Sequence, residues 1–130
     1  MIIFSNSIFR IFEMKKIFVV EDDGDIRELI QFLLIELDYE VQAFANAEAF
    51  NNCIGERLPD LILLDIMLPD GNGAEMCEHL KSQDYTSSIP ILLMSAHVDP
   101  MVRKESCADD FITKPFDIED LAARIKKQLK

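Results

Sequence analysis

The sequence alternates short apolar runs with amphipathic segments, and this alternation constrains the fold more than any other feature. The first, third and fourth apolar runs are almost wholly apolar, which is typical of parallel strands that are covered on both faces. The second run alternates between polar and apolar residues, which favours a strand at the edge of a sheet. The five predicted strands are KIFVV (16–20), YEVQAFA (39–45), DLILLDI (60–66), IPILLMSA (89–96) and DFITKP (110–115).

Amphipathic segments that predict helices lie between and after these runs. Asp25 is the candidate N-cap of the first helix and Asn46 that of the second. Five strands alternating with five helices predict a doubly wound α/β domain with right-handed crossovers. The predicted helices lie within residues 25–38, 46–58, 73–83, 99–106 and 117–130, and the apolar stripe of the first comprises Ile26, Leu29, Ile30, Leu33 and Leu37.

Length and charge narrow the range of functions. A chain of 130 residues has the length of a single domain. Its 24 acidic and 13 basic residues give a net charge of −11. This charge argues against direct nucleic-acid binding or membrane association, both of which need basic patches, and it favours a site that collects cations. Three cysteines without a CxxC pair favour reduced thiols in a cytoplasmic protein.

The first 13 residues, MIIFSNSIFRIFE, form an extension whose status the sequence leaves open. It lacks the basic start and the small-residue cleavage site of a signal peptide. Three alternatives remain: a segment that docks on the domain, an anchor for a membrane or a partner, or translation from a start codon upstream of Met14. The last is the interpretation favoured here, with the domain itself predicted to span residues 14–130.

The ends of the predicted strands carry polar side chains. In doubly wound folds the functional crevice lies at the carboxyl ends of the strands. The first strand is followed by Glu21, Asp22 and Asp23, the third ends at Asp65, and the fourth and fifth end at Ser95 and Lys114. Each residue alone could be a helix cap or a solvated loop residue. Their joint occurrence at one sheet edge favours a functional site.

Carboxylates that converge in this way repel one another unless a cation lies between them. An all-oxygen set without histidine or cysteine favours Mg²⁺, and neither His79 nor His97 is predicted to be a ligand. With a cation present, Asp65 at the centre of the sheet could act as a nucleophile towards phosphorus. An ammonium group and a hydroxyl nearby are groups that phosphoryl transfer uses.

The sequence resembles the response-regulator receiver domains of two-component signalling over about residues 15–130. The resemblance rests on four separated stretches, IFVVEDDGDIRELI, DLILLDIMLPDGNGAEMCEHLK, IPILLMSA and CADDFITKPFDIEDLAARI. It implies a flavodoxin-like five-stranded parallel sheet of order 2-1-3-4-5 with five helices. It also implies a signalling module that is not an enzyme beyond its own phosphorylation and dephosphorylation.

The resemblance assigns a role to each residue at the site. Asp65 would accept a phosphoryl group from a histidine kinase or a phosphotransfer protein. Mg²⁺, with Mn²⁺ as an alternative, would be held by Glu21, Asp22, Asp65 and the backbone carbonyl of Met67. The switch and phosphoryl-binding residues would be Ser95, Lys114 and Phe111, and the Lys114–Pro115 bond would be cis.

The resemblance implies that the output is a surface made by the fourth helix, fifth strand and fifth helix. A downstream protein would read this surface, or a homodimer would form through it, since Asp109, Asp110 and Arg124 resemble charges in the dimers of related transcription factors. Two residues depart from the family pattern. Cys107 replaces a usual glycine, so its loop is expected to differ, and Phe111 lacks the hydroxyl of a tyrosine.

Three other functions compete with this interpretation. A phosphatase of the dehalogenase type would need an acid two residues after Asp65, where Met67 stands. A flavin-binding module would need a phosphate loop after the first strand, and EDDGD would repel phosphate. The third alternative is a receiver-like binding module that acts without phosphorylation.

Overall fold

The computed structural model describes residues 14–97 and 100–130. Its centre is a five-stranded sheet in which every neighbouring pair of strands is parallel. The strand order is β2-β1-β3-β4-β5, which confirms the predicted order 2-1-3-4-5. The strands are β1 (Lys16–Val20), β2 (Glu40–Phe44), β3 (Leu61–Asp65), β4 (Ile91–Ser95) and β5 (Asp110–Thr113).

Helices connect these strands and follow the last one, as the alternating pattern predicts. A short antiparallel hairpin pairs Met67–Leu68 with Gly71–Asn72 between β3 and the third helix. Within the described residues the helices are α1 (Gly24–Glu36), α2 (Ala47–Ile54), α3 (Gly73–Lys81), α4 (Pro100–Glu105) and α5 (Ile118–Gln128).

The core consists of two apolar clusters that contain alternate residues of each inner strand. Ile17 and Val19 of β1 pack with residues of α1 and α5, among them Ile30 and Leu121. Phe18 and Val20 belong to the other cluster, which includes residues of α2 and α3. Alternation along a strand sends successive side chains to opposite faces. Helices therefore cover both faces, which explains why the inner strands are apolar throughout.

Local details at the start of α1 differ from the sequence prediction. The N-cap is Asp23, whose carboxylate accepts hydrogen bonds from the backbone N–H groups of Asp25 and Ile26 at 2.9 and 3.2 Å. The prediction of Asp25 as the cap is wrong, because the helix begins earlier and Asp25 lies in its first turn. Asn46 does cap α2, where it accepts from the N–H of Ala49 at 2.8 Å.

The buried face of α1 is also narrower than its apolar pattern predicts. Ile30 and Leu34 are fully buried, whereas Leu29 and Leu37 are 45% and 43% exposed.

The strand β2 is only partly buried along most of its length, as predicted for an edge strand. In the described part of the chain no helix has both the length and the apolar character needed to cross a membrane. The predictions for residues 1–13 lie outside the described residues.

Candidate functional site at the carboxyl edge of the sheet

The carboxyl ends of four adjacent strands place the predicted polar residues along one edge. Asp65 and Ser95 are the last residues of β3 and β4, while Glu21 and Lys114 directly follow β1 and β5. Sheet-like backbone bonds continue past the strand ends, from the Glu21 N–H to the Phe44 carbonyl at 3.0 Å and from the Lys114 N–H to the Ser95 carbonyl at 2.8 Å. The pairing of the strands therefore fixes the backbone positions from which these side chains extend.

Three carboxylates meet at this edge. Glu21, Asp22 and Asp65 each offer an oxygen, and these oxygens all lie within 4.8 Å of one another. Glu21 is fully buried and Asp65 is 4% exposed, whereas Asp22 is exposed to solvent. The structure brings together the three side chains that the sequence analysis grouped as a metal site.

Lys114 links two of these acids. Its Nζ donates to Asp65 Oδ2 at 2.8 Å and also donates to Glu21 Oε1. Burial lowers the pKa of Lys114, but the hydrogen bonds to Asp65 and Glu21 outweigh that effect and the pKa is raised. The ammonium group therefore stays charged, and its single positive charge lies against two buried carboxyl groups.

The acid group of Glu21 is strongly perturbed. Burial raises its pKa from 4.5 to about 7, because the hydrogen bond from Lys114, which favours the charged form, does not fully offset the loss of solvent. The neighbouring Asp65 carboxylate raises the pKa further. One lysine is thus insufficient to keep this acid fully ionised at neutral pH, and an additional cation would favour its charged form.

The donor set fits a magnesium ion. Among the residues that the structure describes, the possible metal ligands that converge here are carboxylate oxygens, and the exposed Asp22 leaves one side open to the water ligands that Mg²⁺ retains. Two contacts orient the Asp65 carboxylate. Lys114 binds its Oδ2, and its Oδ1 accepts a hydrogen bond from the Met67 N–H at 3.1 Å. Met67 contacts Asp65 through its amide in this structure, and its carbonyl stays a predicted ligand.

The hydroxyl of Ser95 is engaged within its own loop. Its Oγ donates to the His97 carbonyl at 2.9 Å and accepts from the His97 N–H at 3.2 Å. Ser95 is 2% exposed, so this hydroxyl would otherwise be buried without a partner. Ser95 therefore lies at the predicted edge, but its hydrogen bonds are local ones.

Phe111 lies in the core. It is 7% exposed and belongs to the cluster on the α2 and α3 side of the sheet. The guanidinium carbon of Arg103 in α4 lies 5.3 Å from the centre of its ring, which is a cation–π distance. The aromatic ring predicted as a switch residue is therefore already turned inward in this structure.

Gly73 supports the site in a way that sequence reasoning missed. Its N–H donates to the Ile66 carbonyl at 2.8 Å, which brings the start of α3 against the end of β3. A Cβ at this position would lie 2.2 Å from the carbonyl oxygen of Asp65, closer than atoms can approach. The last glycine of LPDGNG, which is Gly73, was the available signal of a close backbone contact, although glycines in such stretches usually mark only a turn.

Arg27 and Asp70 also hold the loops around the site, and neither was predicted to do so. The guanidinium of Arg27 donates to the carbonyls of Glu21 and Asp22 at 2.8 and 3.3 Å. Asp70 accepts from the backbone N–H groups of Ala47 and Glu48 at 2.8 and 3.0 Å, and these bonds lower its pKa. A charged residue on a helix or in a turn is usually solvated, so the sequence carried no specific signal.

The charges predicted for a dimer interface are paired within the chain. Lys81 Nζ lies 2.8 Å from Asp109 Oδ2. Arg124 lies 2.8 Å from Asp110 Oδ1 and also contacts Asp120 at 3.1 Å. The Lys114–Pro115 peptide bond is cis, as predicted.

A family model and curated proteins both match most of this chain. The family model described as "Response regulator receiver domain" matches residues 17–126. The phosphate regulon transcriptional regulatory protein PhoB of Escherichia coli (strain K12) is 39% identical over 119 residues, which cover 89% of this chain and 52% of that protein. The chain thus spans about half the length of the curated relatives it matches.

Solved structures resemble the fold over most of the chain. A response regulator from Chloroflexus aurantiacus J-10-fl is 29% identical with a TM-score of 0.84, covering 90% of this chain and 98% of that one. The BeF₃-activated DrrB receiver domain is 34% identical with a TM-score of 0.78, and the match covers 89% of this chain and 97% of that one.

Proposed function

This chain belongs to the response regulator receiver domain family, whose members are signalling modules rather than true enzymes, and we propose that it is a phosphoacceptor switch. Asp65 is the acceptor, and a histidine kinase or a phosphotransfer protein is the donor. The observation that carries the proposal is the contact of buried Asp65 with Lys114, beside Glu21 and Asp22. An acidic cluster of this kind is typical of the magnesium site in receivers.

The transfer exchanges one bond to phosphorus for another. A carboxylate oxygen of Asp65 forms the new P–O bond while the P–N bond to the donor's phosphohistidine breaks, and the histidine nitrogen keeps the electron pair and takes up a proton. The Met67 N–H orients Asp65 from one side and the Lys114 ammonium from the other. Lys114 then donates to an oxygen of the incoming phosphoryl group, which keeps that negative charge paired.

Glu21, Asp22, Asp65 and the Met67 carbonyl are the residues that would hold Mg²⁺ or Mn²⁺. A divalent ion there supplies the positive charge that a phosphoryl group needs beside carboxylates. Within the described residues, one ammonium group, that of Lys114, bonds directly to this set of three carboxyl groups, and it reaches only Glu21 and Asp65, so a further positive charge is needed. Asp23 serves as the cap of α1 and lies outside this set.

The switch follows from a competition for the Ser95 hydroxyl. In this structure the hydroxyl donates to the His97 carbonyl. On phosphorylation it donates instead to a phosphoryl oxygen, the loop after β4 shifts, and the buried ring of Phe111 repacks. Phosphorylation changes the equilibrium only by as much as it binds one arrangement more tightly than the other.

The surface formed by α4, β5 and α5 transmits the change. A downstream protein reads it, or a second copy of the chain pairs through it, which requires Asp109, Asp110 and Arg124 to exchange partners. The domain acts in the cytoplasm, where its phosphodonor is found, and spans residues 14–130. We assign it no direct contact with nucleic acid or membrane.

The test is phosphorylation by acetyl phosphate with and without Mg²⁺, read by intact mass. We expect a gain of one phosphoryl group that needs Mg²⁺ and is lost in Asp65→Asn. Asp23→Asn is the matched control, since asparagine caps a helix as well as aspartate does and should leave phosphorylation unchanged.

An Asp65→Asn protein that still gains the phosphoryl group would overturn the assignment of the acceptor. If the folded wild type gains nothing from acetyl phosphate or from a panel of phosphorylated histidine kinases, the alternative holds. The chain would then be a receiver-like binding module that acts without phosphorylation.

A further inference from the structure

Two cysteines that play no part in the phosphoryl site lie in contact. The sulfur atoms of Cys77 in α3 and Cys107 in the loop before β5 are 3.4 Å apart, although 30 residues separate them in the chain. Both are free thiols in this structure. We propose that Cys77 and Cys107 are a redox modification site, at which a peroxide oxidises the pair to an intramolecular disulfide.

The geometry requires only a small movement. A disulfide bond is about 2.05 Å long, so the sulfurs must approach by about 1.4 Å. One sulfur lies on a helix and the other on a loop outside regular structure, which can make most of that movement. Closing the bond therefore needs no change in the sheet.

A second set of contacts holds the two segments together. Lys81 lies one turn after Cys77 on α3, and its ammonium group pairs with Asp109, two residues after Cys107, at 2.8 Å. The same Asp109 carboxylate accepts from the Ile91 N–H at 2.8 Å. Because Asp109 is bound to both α3 and β4, the Cys107 loop is kept against Cys77.

The two thiols differ in access, and this gives them separate roles. Cys107 is exposed, whereas Cys77 is fully buried. Burial, together with the contact with Cys107, raises the pKa of the Cys77 thiol. A peroxide therefore meets Cys107 first, and Cys77 acts as the resolving thiol.

The chemistry balances in two steps. The Cys107 thiolate attacks hydrogen peroxide, so the O–O bond breaks, Cys107 becomes a sulfenic acid, and the released hydroxide takes a proton to become water. The sulfur of Cys77 then attacks the sulfur of Cys107, the S–O bond breaks, and the oxygen leaves as water with the Cys77 proton. Two thiols supply two electrons and one peroxide becomes two waters. Two equivalents of a low-molecular-weight thiol reduce the bond back to two cysteine thiols and become a disulfide themselves.

The bond would act on the loop that joins α4 to β5. Cys107 lies four residues before Phe111, so a tether to α3 would restrain the segment that the proposed switch rearranges. That consequence depends on the proposed function. Formation of the disulfide itself does not, and it is measured without phosphorylation.

The experiment treats the folded, fully reduced chain with equimolar hydrogen peroxide, blocks the remaining thiols under denaturing conditions, and determines the mass of the intact protein and its peptides. We expect the three reactive thiols to fall to one, which is Cys53, with a Cys77–Cys107 peptide pair in a monomer. The melting temperature should rise by several degrees and return to its starting value on reduction.

Cys53→Ser is the matched control and should form the same bond. Cys107→Ser changes an exposed residue, so it should fold normally and form no internal disulfide. Stable addition of oxygen at Cys107 while Cys77 stays free would overturn the proposal. So would disulfides that contain Cys53 or that link two chains in place of the Cys77–Cys107 pair.

Discussion

The two halves of the carboxyl edge are held in different ways. In the acidic half, Lys114 bonds to Glu21 and Asp65, which lie 93 and 49 residues away in the chain. In the hydroxyl half, Ser95 bonds to His97, two residues away. The acidic half thus exists only in the folded sheet, whereas the hydroxyl half is a local turn whose hydrogen bonds can change without breaking the ion pairs of the acidic half.

The difference matters because the interactions in the two halves contribute different amounts to the free energy of unfolding. Removing one partner of a buried charge pair leaves an uncompensated charge and costs about 3–5 kcal/mol. A neutral hydrogen bond contributes only about 1 kcal/mol. The acidic half can therefore stay assembled while the hydroxyl half exchanges its hydrogen-bond partners. Substitutions in the acidic half are expected to lower the free energy of unfolding more than substitutions in the hydroxyl half.

The largest effect is expected for Lys114→Met. The change leaves Glu21 and Asp65 without their ammonium partner, so the free energy of unfolding should fall by about 3 kcal/mol at pH 8 in a chelator. The loss should shrink at lower pH, where Glu21 takes up a proton. Urea denaturation measures both effects, with the exposed Lys127→Met as the control. A loss as small as that of the control would show that the two acids do not depend on Lys114.

Glu21 should make stability depend on pH. Its pKa is about 7 in the folded protein and 4.5 when the carboxyl group is freely solvated, as in the unfolded chain, so between these values the folded state binds more protons than the unfolded state. The free energy of unfolding therefore falls as pH rises through this window, by up to about 3 kcal/mol in a chelator, and levels off above it.

Urea denaturation at several pH values measures this dependence in the wild type and in Glu21→Gln. The variant carries no titrating acid at this position, so its stability should fall less between pH 4.5 and 7. Parallel pH profiles of the two proteins would contradict the assignment of the dependence to Glu21.

Gly73→Ala tests the backbone support beneath Asp65. The new Cβ would meet the Asp65 carbonyl oxygen at 2.2 Å, so α3 must move away from β3. We expect a loss of about 1–3 kcal/mol in the free energy of unfolding, with weaker Mg²⁺ binding measured by titration. Gly55→Ala is the matched control, because a Cβ there meets nothing within 4 Å. Equal stability of the two variants would refute the close contact.

Ser95→Ala should have the smallest effect. It removes a hydroxyl whose bonds are local, so we expect a loss of about 1 kcal/mol and unchanged Mg²⁺ affinity. Ser87→Ala, which removes an exposed hydroxyl bonded to the Asp84 carbonyl, is the control. A large loss of Mg²⁺ affinity in Ser95→Ala alone would mean that the two halves are coupled before phosphorylation.

Much of this site could be predicted because a strand end has a recognisable sequence. Apolar runs that stop at Glu21, Asp65, Ser95 and Lys114 indicate which side chains share an edge once the strands are parallel. The capping of α1 was less predictable, since Asp23 and Asp25 are both good caps. The path of the chain after β1, not residue type, selected Asp23.

Contacts between distant segments could not be predicted from single residues. Nothing local marks Gly73 as the residue that contacts Asp65, or Arg27 as the one that binds the carbonyls of Glu21 and Asp22. The 3.4 Å approach of Cys77 and Cys107 is equally invisible in the sequence, where the cysteines are widely spaced.

The parallel α/β architecture and the chemical identity of the groups at the sheet edge follow from the amino-acid sequence alone. Periodicity and side-chain chemistry are local properties, and they can be read without knowing which segments meet. Three features of the site come from the packing of the folded chain: the oxygens that Lys114 binds, the acceptor of the Ser95 hydroxyl, and the burial of Glu21. Those features depend on distances and solvent exclusion between segments, which arise only when the sheet and its helices pack together.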